Sequence, residues 1–360
     1  MTAPDQSGAL SRLPRPRRRA ANAVLVAAVV LLTSTACTSR PDGARPADGL
    51  EVTLAFAGDV HFMGRVAKLL DDPTTAFGPI VDTLASSDLT FLNLETPITR
   101  QGTAEPKRYV FRTDERAVTA LRAAGVDAIT LANNHTLDYG RAGLADTLDA
   151  SRTGGLPTFG AGRNANEAFA PWRTTVRGVR IAVFGFSQVV DLADQWIAKD
   201  DRSGIAMSFD EGRALAAVSA ALATSDLVVV FPHWGTEGEQ CPNRAQKYFA
   251  RKLAAAGADV IVGAHTHVLQ PDGWLGQTYV AYGMGNFLWY SSGLTPAAVN
   301  TGVLKLTVRG RTVVRHTLVP AVVSGTGQPV RATGEIADQQ LKHYAELRDC
   351  SGLDARPGDT

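Results

Sequence analysis

Two histidines one residue apart close an apolar run in DVIVGAHTHVLQ, Asp259 to Gln270. Val260 to Gly263 reads as a buried strand, and His265 and His267 follow at once. On a locally extended backbone, residues i and i+2 point to the same side, so both imidazoles would face one place. The same spacing recurs in Asp59-Val60-His61, at the end of LAFAG. Other apolar runs end alike: LTFLNLE in Asn93 and Glu95, AITLANNH in Asn133, Asn134 and His135, with Asp138 beyond. LVVVFPH ends in His233, and Trp234 and Glu237 come next. Imidazole, carboxylate and amide oxygen without thiolate form a donor set for Zn, Mn, Fe or Co, and argue against an iron–sulfur or thiolate zinc site. A carboxylate between two ions about 3.5–4 Å apart can bridge them, and water there becomes a nucleophile near neutral pH.

Each residue has a plainer role when taken alone. The asparagines could shape a turn, Asp59 could cap a helix, and Glu95 could be a solvated carboxylate. Position argues otherwise. Five of the seven histidines lie just past strand-like runs, and in α/β sheets the carboxyl ends of strands are the edge where ligands collect.

The elements that would carry these residues alternate along the chain. Strands are expected at VTLAFAG, DLTFLNLE, VDAITLA, SDLVVVFPH, ADVIVGAH and GQTYVAYGMG. Helices are expected at FGPIVDTLASS, DERAVTALRAAG, GRAGLADTLDASRTG, DEGRALAAVSAALAT and NRAQKYFARKLAAAG. Short β-branched strands between helices indicate an α/β layered fold. Two hairpins, about Arg177 and about Arg309, are less apolar and point to a second, mixed or antiparallel sheet. A short helical pattern, IADQQLKHYAELRD, lies in the tail before a loose polar end.

The chain of 360 residues, 45% hydrophobic and 20% charged, suits a globular body with a full core. Its net charge of +1 gives no basis for electrostatic capture of nucleic acid. The N-terminus reads as targeting: SRLPRPRRRA is a positive n-region, and AVLVAAVVLL is an apolar core too short to span a membrane. TSTAC then ends at Cys37, in the manner of a bacterial lipoprotein processing site, although Ser34 stands where Leu is usual. A lipidated Cys37, a cleaved secretory signal or an uncleaved anchor would each place the body outside the cytoplasm. The expected organisation is a signal over 1–37, a Pro/Gly-rich linker over 38–50, one domain over 51–325 and a C-terminal extension over 326–360. Cys241 and Cys350 either pair in an oxidising compartment or remain two thiols.

Asp-x-His, Asn-His, a lone His and His-x-His, in that order after α/β strands, resemble the calcineurin-like metallophosphatase superfamily. The stretches FAGDVHFMG, NLETPIT, LANNHTLDYG, FPHWGTE, GADVIVGAHTHVLQ and YGMGNFLW resemble, more closely, the bacterial capsule-synthesis CapA family associated with poly-γ-glutamate. The resemblance implies an α/β/β/α sandwich of mixed sheets with helices outside. It implies two divalent ions, with Asp59, His61 and His267 on one and Asn134, His233 and His265 on the other. Glu95 stands where superfamily members carry a bridging Asp, which puts a two-ion site in doubt. His135 would give a proton to the leaving oxygen or stabilise charge, with Asp138 orienting it. Asn93, Trp234, Glu237 and Asn286 would line the substrate.

The implied activity is hydrolysis of a phosphoester at the cell surface. One alternative is a non-catalytic factor that binds or exports poly-γ-glutamate or another capsule polymer alongside membrane proteins of capsule synthesis. Another is a metal-dependent hydrolase of γ-glutamyl or cell-wall amide bonds. Arg100, Lys107, Arg108 and Arg112 in RQGTAEPKRYVFR would contact an anionic chain or form a solvated loop.

Overall fold

Alternation along the first strand sets the layers. In the computed structural model, which describes residues 49–290 and 294–358, Val52, Leu54 and Phe56 enter one core, while Ala55 and Ala57 enter another. Side chains of a strand point to its two faces in turn, so this strand belongs to a sheet covered on both sides.

The strands are β1 (Glu51–Val60), β2 (Leu89–Leu94), β3 (Ala128–Thr130), β4 (Thr158–Phe159), β5 (Ala161–Gly162), β6 (Trp172–Val176), β7 (Val179–Ser187) and β8 (Gly204–Ile205). They continue as β9 (Leu227–His233), β10 (Val260–Val262), β11 (Leu269–Leu275), β12 (Thr278–Met284), β13 (Asn286–Leu288), β14 (Asn300–Arg309), β15 (Thr312–Val323) and β16 (Pro329–Arg331). One sheet runs β16-β15-β14-β1-β2-β3-β4, with β13 beside β1; the other runs β11-β12-β10-β9-β7-β6. Both are mixed: β1 pairs parallel with β2 and antiparallel with β14, and β9 pairs parallel with β7 and β10, while β6 and β11 are antiparallel edges.

Phe56, Phe91, Val183, Val229, Val262 and Leu306 pack between the sheets. Outside the first sheet, the helices Arg116–Ala123 and Gly140–Thr153 contribute Ala117, Leu121, Leu144 and Leu148. Outside the second, the helices Glu211–Ala221 and Arg244–Ala256 contribute Val218, Phe249 and Leu253 against Phe184, Val228 and Ile261. The result is the expected α/β/β/α sandwich. Local chemistry agrees: Asn243 and Gln246 form a capping box at the start of Arg244–Ala256, and Gly257 ends that helix with φ 102°.

Three expectations are corrected. The hairpins about Arg177 and Arg309 are not one second sheet; β6–β7 edges the second sheet and β14–β15 lies in the first. The helix expected at FGPIVDTLASS is a 3-10 turn, Gly78–Ile80, leading into one α turn, Val81–Leu84. No strand was expected at Leu269–Leu275, where Pro271 and Gly273 interrupt the pattern; as an edge strand it tolerates both.

The tail is built into the body. β16 pairs with β15, and the helix Gly334–Glu346 follows it. Arg348 donates to the buried Asp272 carboxylate (3.0 Å) and backbone carbonyl (2.7 Å). Of the two alternatives for the cysteines, the structure has the pair: Cys241 and Cys350 are joined, with Cα atoms 5.8 Å apart. Closing 109 residues of separation is worth about 4–5 kcal/mol by loop entropy. Cys37, with the signal over 1–37 and most of the linker, lies outside the described residues. No described helix is long and apolar enough to cross a membrane.

Candidate metal centre

Four strands of the two sheets bring their carboxyl ends to one place. β1 supplies Asp59, β2 leads to Glu95, β9 ends in His233, and β10 leads to His265 and His267. Asp59 is set by a close approach that only glycine permits. Its N–H donates to Gly285 O at 2.9 Å, and a Cβ on the preceding Gly58 would sit 1.8 Å from that same oxygen.

Asn93 is the hub beneath the carboxylates. Its Nδ2 donates to Asp59 Oδ1 at 2.8 Å and Glu95 Oε2 at 3.2 Å, and lies 3.3 Å from His233 Nδ1. Its Oδ1 accepts from Asn133 Nδ2 at 2.9 Å. Asn133 in turn fixes the Asn-Asn-His turn, because its Oδ1 accepts the His135 N–H (3.0 Å) and the Thr136 hydroxyl (2.9 Å).

Two trios of donor atoms converge, each within 4.8 Å: Glu95 with His265 and His267, and Glu95 with Asp59 and His233. Glu95 is common to both, as a bridging carboxylate must be. The pairs expected on one ion are also adjacent. His267 Nδ1 lies 3.1 Å from Asp59 Oδ2, off the line of a hydrogen bond. The His233 and His265 rings are 4.7 Å apart, and His233 Nε2 meets Asn134 Oδ1 at 2.8 Å. His61 Nε2, Glu95 Oε1, His265 Nδ1 and His267 Nδ1 are buried without a hydrogen-bond partner. Each such group costs about 1–3 kcal/mol if left unmet. A divalent cation meets all of them, so the residues present fit the metal.

His61 keeps one ring nitrogen for the centre. Its Nδ1 accepts the Met63 N–H at 3.0 Å, and its Nε2 is buried without a hydrogen-bond partner. The ring is boxed by Phe111, Trp289 and Tyr290, with centroids at 4.7, 4.1 and 4.7 Å.

The backbone of His-x-His is not extended. His265 and His267 have φ of 93° and 56°, left-handed values rare for histidine. The turn, not a strand pleat, aims both rings inward. Strain of this kind persists where surrounding contacts hold it; here the His265 N–H donates to Asp59 Oδ2 at 3.2 Å.

A dyad stands beside the trios. His135 Nδ1 meets Asp138 Oδ2 at 2.6 Å, and His135 Nε2 lies 3.9 Å from Glu95 Oε1. Asp138 also accepts from Lys107 Nζ at 2.8 Å and from the Phe111 N–H at 2.7 Å. Lys107, whose side chain is 9% exposed, donates as well to Asn134 O and lies over the Trp196 ring. The Phe111 ring is stacked between the His61 and His135 rings, 4.7 and 4.1 Å away.

Electrostatics follow from burial. It holds His61, His233 and His265 well below the usual imidazole range, with neighbouring imidazoles adding to the effect. Burial lowers His135 too, against the pull of Asp138. Burial also opposes a charged His267, but the Asp59 carboxylate outweighs it and raises that ring. Burial, then Asp59, pushes Glu95 well above the usual carboxylate range.

Residues 53–291, more than half of the chain, match the family described as bacterial capsule synthesis protein PGA_cap. The chain belongs to this family. The PGA biosynthesis protein CapA of Bacillus subtilis (strain 168) is 32% identical over 244 residues, covering 66% of this chain and 63% of that protein. The capsule biosynthesis protein CapA of Bacillus anthracis is 30% identical over 279 residues, covering 74% and 67%. The chain thus spans about two thirds of the length of these curated relatives. Among solved structures, the NAD nucleotidase of Haemophilus influenzae is similar at 13% identity and a TM-score of 0.47, covering 86% of this chain and 65% of that one.

In this PGA_cap protein, three expected substrate residues have other work. Asn93 is the fully buried hub. Trp234 faces the outer core, donating Nε1–H to Tyr282 O at 2.7 Å beside Phe249. Asn286 is buried and donates to His267 O (3.2 Å) and Ala298 O (3.0 Å), so it holds the histidine turn. Glu237 alone of the four sits at the rim, 61% exposed and 4.0 Å from His267 Nε2. Phe111 was not foreseen as part of the centre, and Lys107, expected to contact an anionic chain or lie in a solvated loop, is instead buried on Asp138. They lie in a loop without periodicity, and the one signal was the placing of that loop directly after Glu95.

Proposed function

We propose that this chain is an exported capsule or poly-γ-glutamate synthesis protein, held at the outer face of the cytoplasmic membrane, and a metal-dependent hydrolase of phosphoester type. The observation that carries the hydrolytic reading is one carboxylate, Glu95, shared by two donor trios with the His135–Asp138 dyad alongside. Asp59, His61, Glu95, Asn134, His233, His265 and His267 would hold Mn, Zn or Fe. Such ions supply Lewis acidity and a lowered pKa for water. Asp138 fixes the His135 proton on Nδ1, so the neutral ring presents a bare Nε2. That nitrogen takes up a proton before it can pass one to a leaving oxygen. Lys107 balances the Asp138 charge and keeps it a hydrogen-bond acceptor. The family relatives support the link to capsule polymer.

A second reading has its own observation. The Phe111 ring fills the space between His61 and His135, where a substrate of the dyad would pass, and this favours a module that binds polymer without cleaving it. One experiment separates the two. The body is purified without chelators, its metal content is measured, and it is assayed on phosphodiesters and γ-glutamyl peptides. Near two ions per chain with phosphodiester turnover supports the hydrolase. Turnover on the peptides alone points to an amide hydrolase. No metal after incubation with Mn or Zn leaves the binding module.

A further inference from the structure

We propose that the arginines at the neck of loop 97–113 form an anion subsite next to the metal centre, which takes the free pendant carboxylates of an acidic polymer. Arg100, Arg112 and Arg116 line a cavity of about 310 Å³ with Phe62, Thr113 and Asp114. The cavity is tied to the centre in register. Phe111 donates its N–H to Asp138, and the next residue, Arg112, lies over the ring of Tyr139, the residue after Asp138. Consecutive residues therefore carry the ring against the dyad and the guanidinium that lines the cavity. That polymer is the substrate of the centre is the one element that rests on the reading above; the subsite itself does not need catalysis.

Charge accounting favours a monoanion. Arg100 contacts Asp114 at 3.2 Å and Glu115 at 3.6 Å, and Arg116 contacts Asp114 at 2.9 Å and Asp71 at 3.7 Å, so both are already paired. Hydrogen bonding from Arg116 holds Asp114 below the usual carboxylate range, so it stays ionised. Arg112 has no carboxylate partner among the described residues. It is pre-oriented by Tyr139, 4.4 Å from its guanidinium carbon to the ring centre, and presents the planar fork that pairs with carboxylates. A dianionic phosphate would meet twice the repulsion from Asp114 that a single carboxylate meets. Beyond Arg100, a wider groove along the helix Arg116–Ala123 sets Glu115, Asp146 and Asp149 against Arg122, so the subsite for an anionic chain ends at Arg100.

The test uses the whole chain and a fluorescein-labelled decamer of γ-linked glutamate, read by anisotropy. Binding is expected to weaken as salt rises. Arg112→Ala and Arg100→Ala are each expected to weaken it about tenfold or more, while Arg331→Ala, on the exposed β16, leaves it unchanged. Absence of binding by the unaltered chain would overturn the proposal. So would equal loss in Arg331→Ala, or inorganic phosphate displacing the decamer better than free glutamate does. Loss of metal or of turnover, with Arg112-dependent binding intact, would sink the hydrolase reading and leave the subsite standing.

Discussion

The ends of the strands and the loop 97–113 build the two sides of one centre, and they hold their residues in opposite ways. Asp59, Asn93, Glu95 and His233 are fully buried on or just after strands, and each touches another of the set. The loop has no regular structure and is closed at its neck by Thr99 N–H to Thr113 O (2.9 Å) and Thr113 N–H to Pro97 O (3.0 Å). It reaches the dyad through the Lys107 side chain and the Phe111 ring and N–H, with Arg112 beside it over Tyr139. A rigid base can fix donor atoms for ions, whereas a loop tied at its ends is suited to deciding what reaches them. If that division is right, damage to the strand ends removes the metal, and damage to the loop changes access.

The largest effect is expected at the base. Asp59→Ala should leave a folded protein that no longer retains metal. Removing a direct ligand should cost at least the hundredfold in affinity that bounds the loss of an outer partner. Metal content by mass spectrometry, with circular dichroism for the fold, checks it; full retention would remove Asp59 from the centre. Next comes Asn93→Ala, which takes away the hub but no ligand. A loss of about 10–100-fold in metal affinity is expected, measured by competition with a chromogenic chelator. No change would mean that the carboxylates hold their positions without it.

The same division explains what could be read from the sequence. The strand ends were legible because an apolar, β-branched run that stops at a polar residue is a local signal, repeated at Asp59, Glu95, His233 and His265. The layers were legible for the same reason, through period 2 in strands and period 3.6 in helices. Lys107 and Phe111 were not, because their burial depends on Asp138, Trp196 and His61, contacts made across the fold. Trp234 misled by adjacency: strand alternation turns it away from the centre that its neighbour His233 enters. The left-handed turn at His265 and His267 carries no glycine to announce it.

On the loop side, Phe111→Ala should act on access and leave metal content alone. Taking a buried ring from the small cluster with Trp289 and Val323 costs stability, about 2–3 kcal/mol, below the 3–5 typical of a full core because the cluster is small. If the ring obstructs the dyad, kcat/KM for a small phosphodiester rises about tenfold, while metal content stays level. If the ring is instead a wall that the substrate packs against, KM rises and kcat/KM falls. Either outcome keeps the loop as the controlling side. Loss of metal together with turnover would collapse the distinction between the two regions.

The smallest effect separates them by pH, in protein stripped of metal. His61, His233 and His265 are held neutral by burial, with folded pKa values below the unfolded value of about 6.5. A depressed imidazole pKa means that the unfolded chain binds protons first as pH falls, so folding loses stability below about 6.5 and keeps it above. Glu95 runs the other way. Its raised pKa contributes stability that is fully present below the unfolded carboxylate value and is lost as pH rises through the folded value. The stripped protein should therefore lose Tm between about pH 7 and 5 by the histidine contribution, with Glu95 offsetting part of that loss. Glu95→Gln should raise the Tm of the stripped protein at neutral pH and, by removing the opposing carboxyl, steepen the loss on the acid side. A Tm of the stripped Glu95→Gln protein that is flat from pH 7 to 5 would mean that the imidazoles already find partners without an ion, and that the strand ends are less committed to metal than their unmet nitrogens indicate.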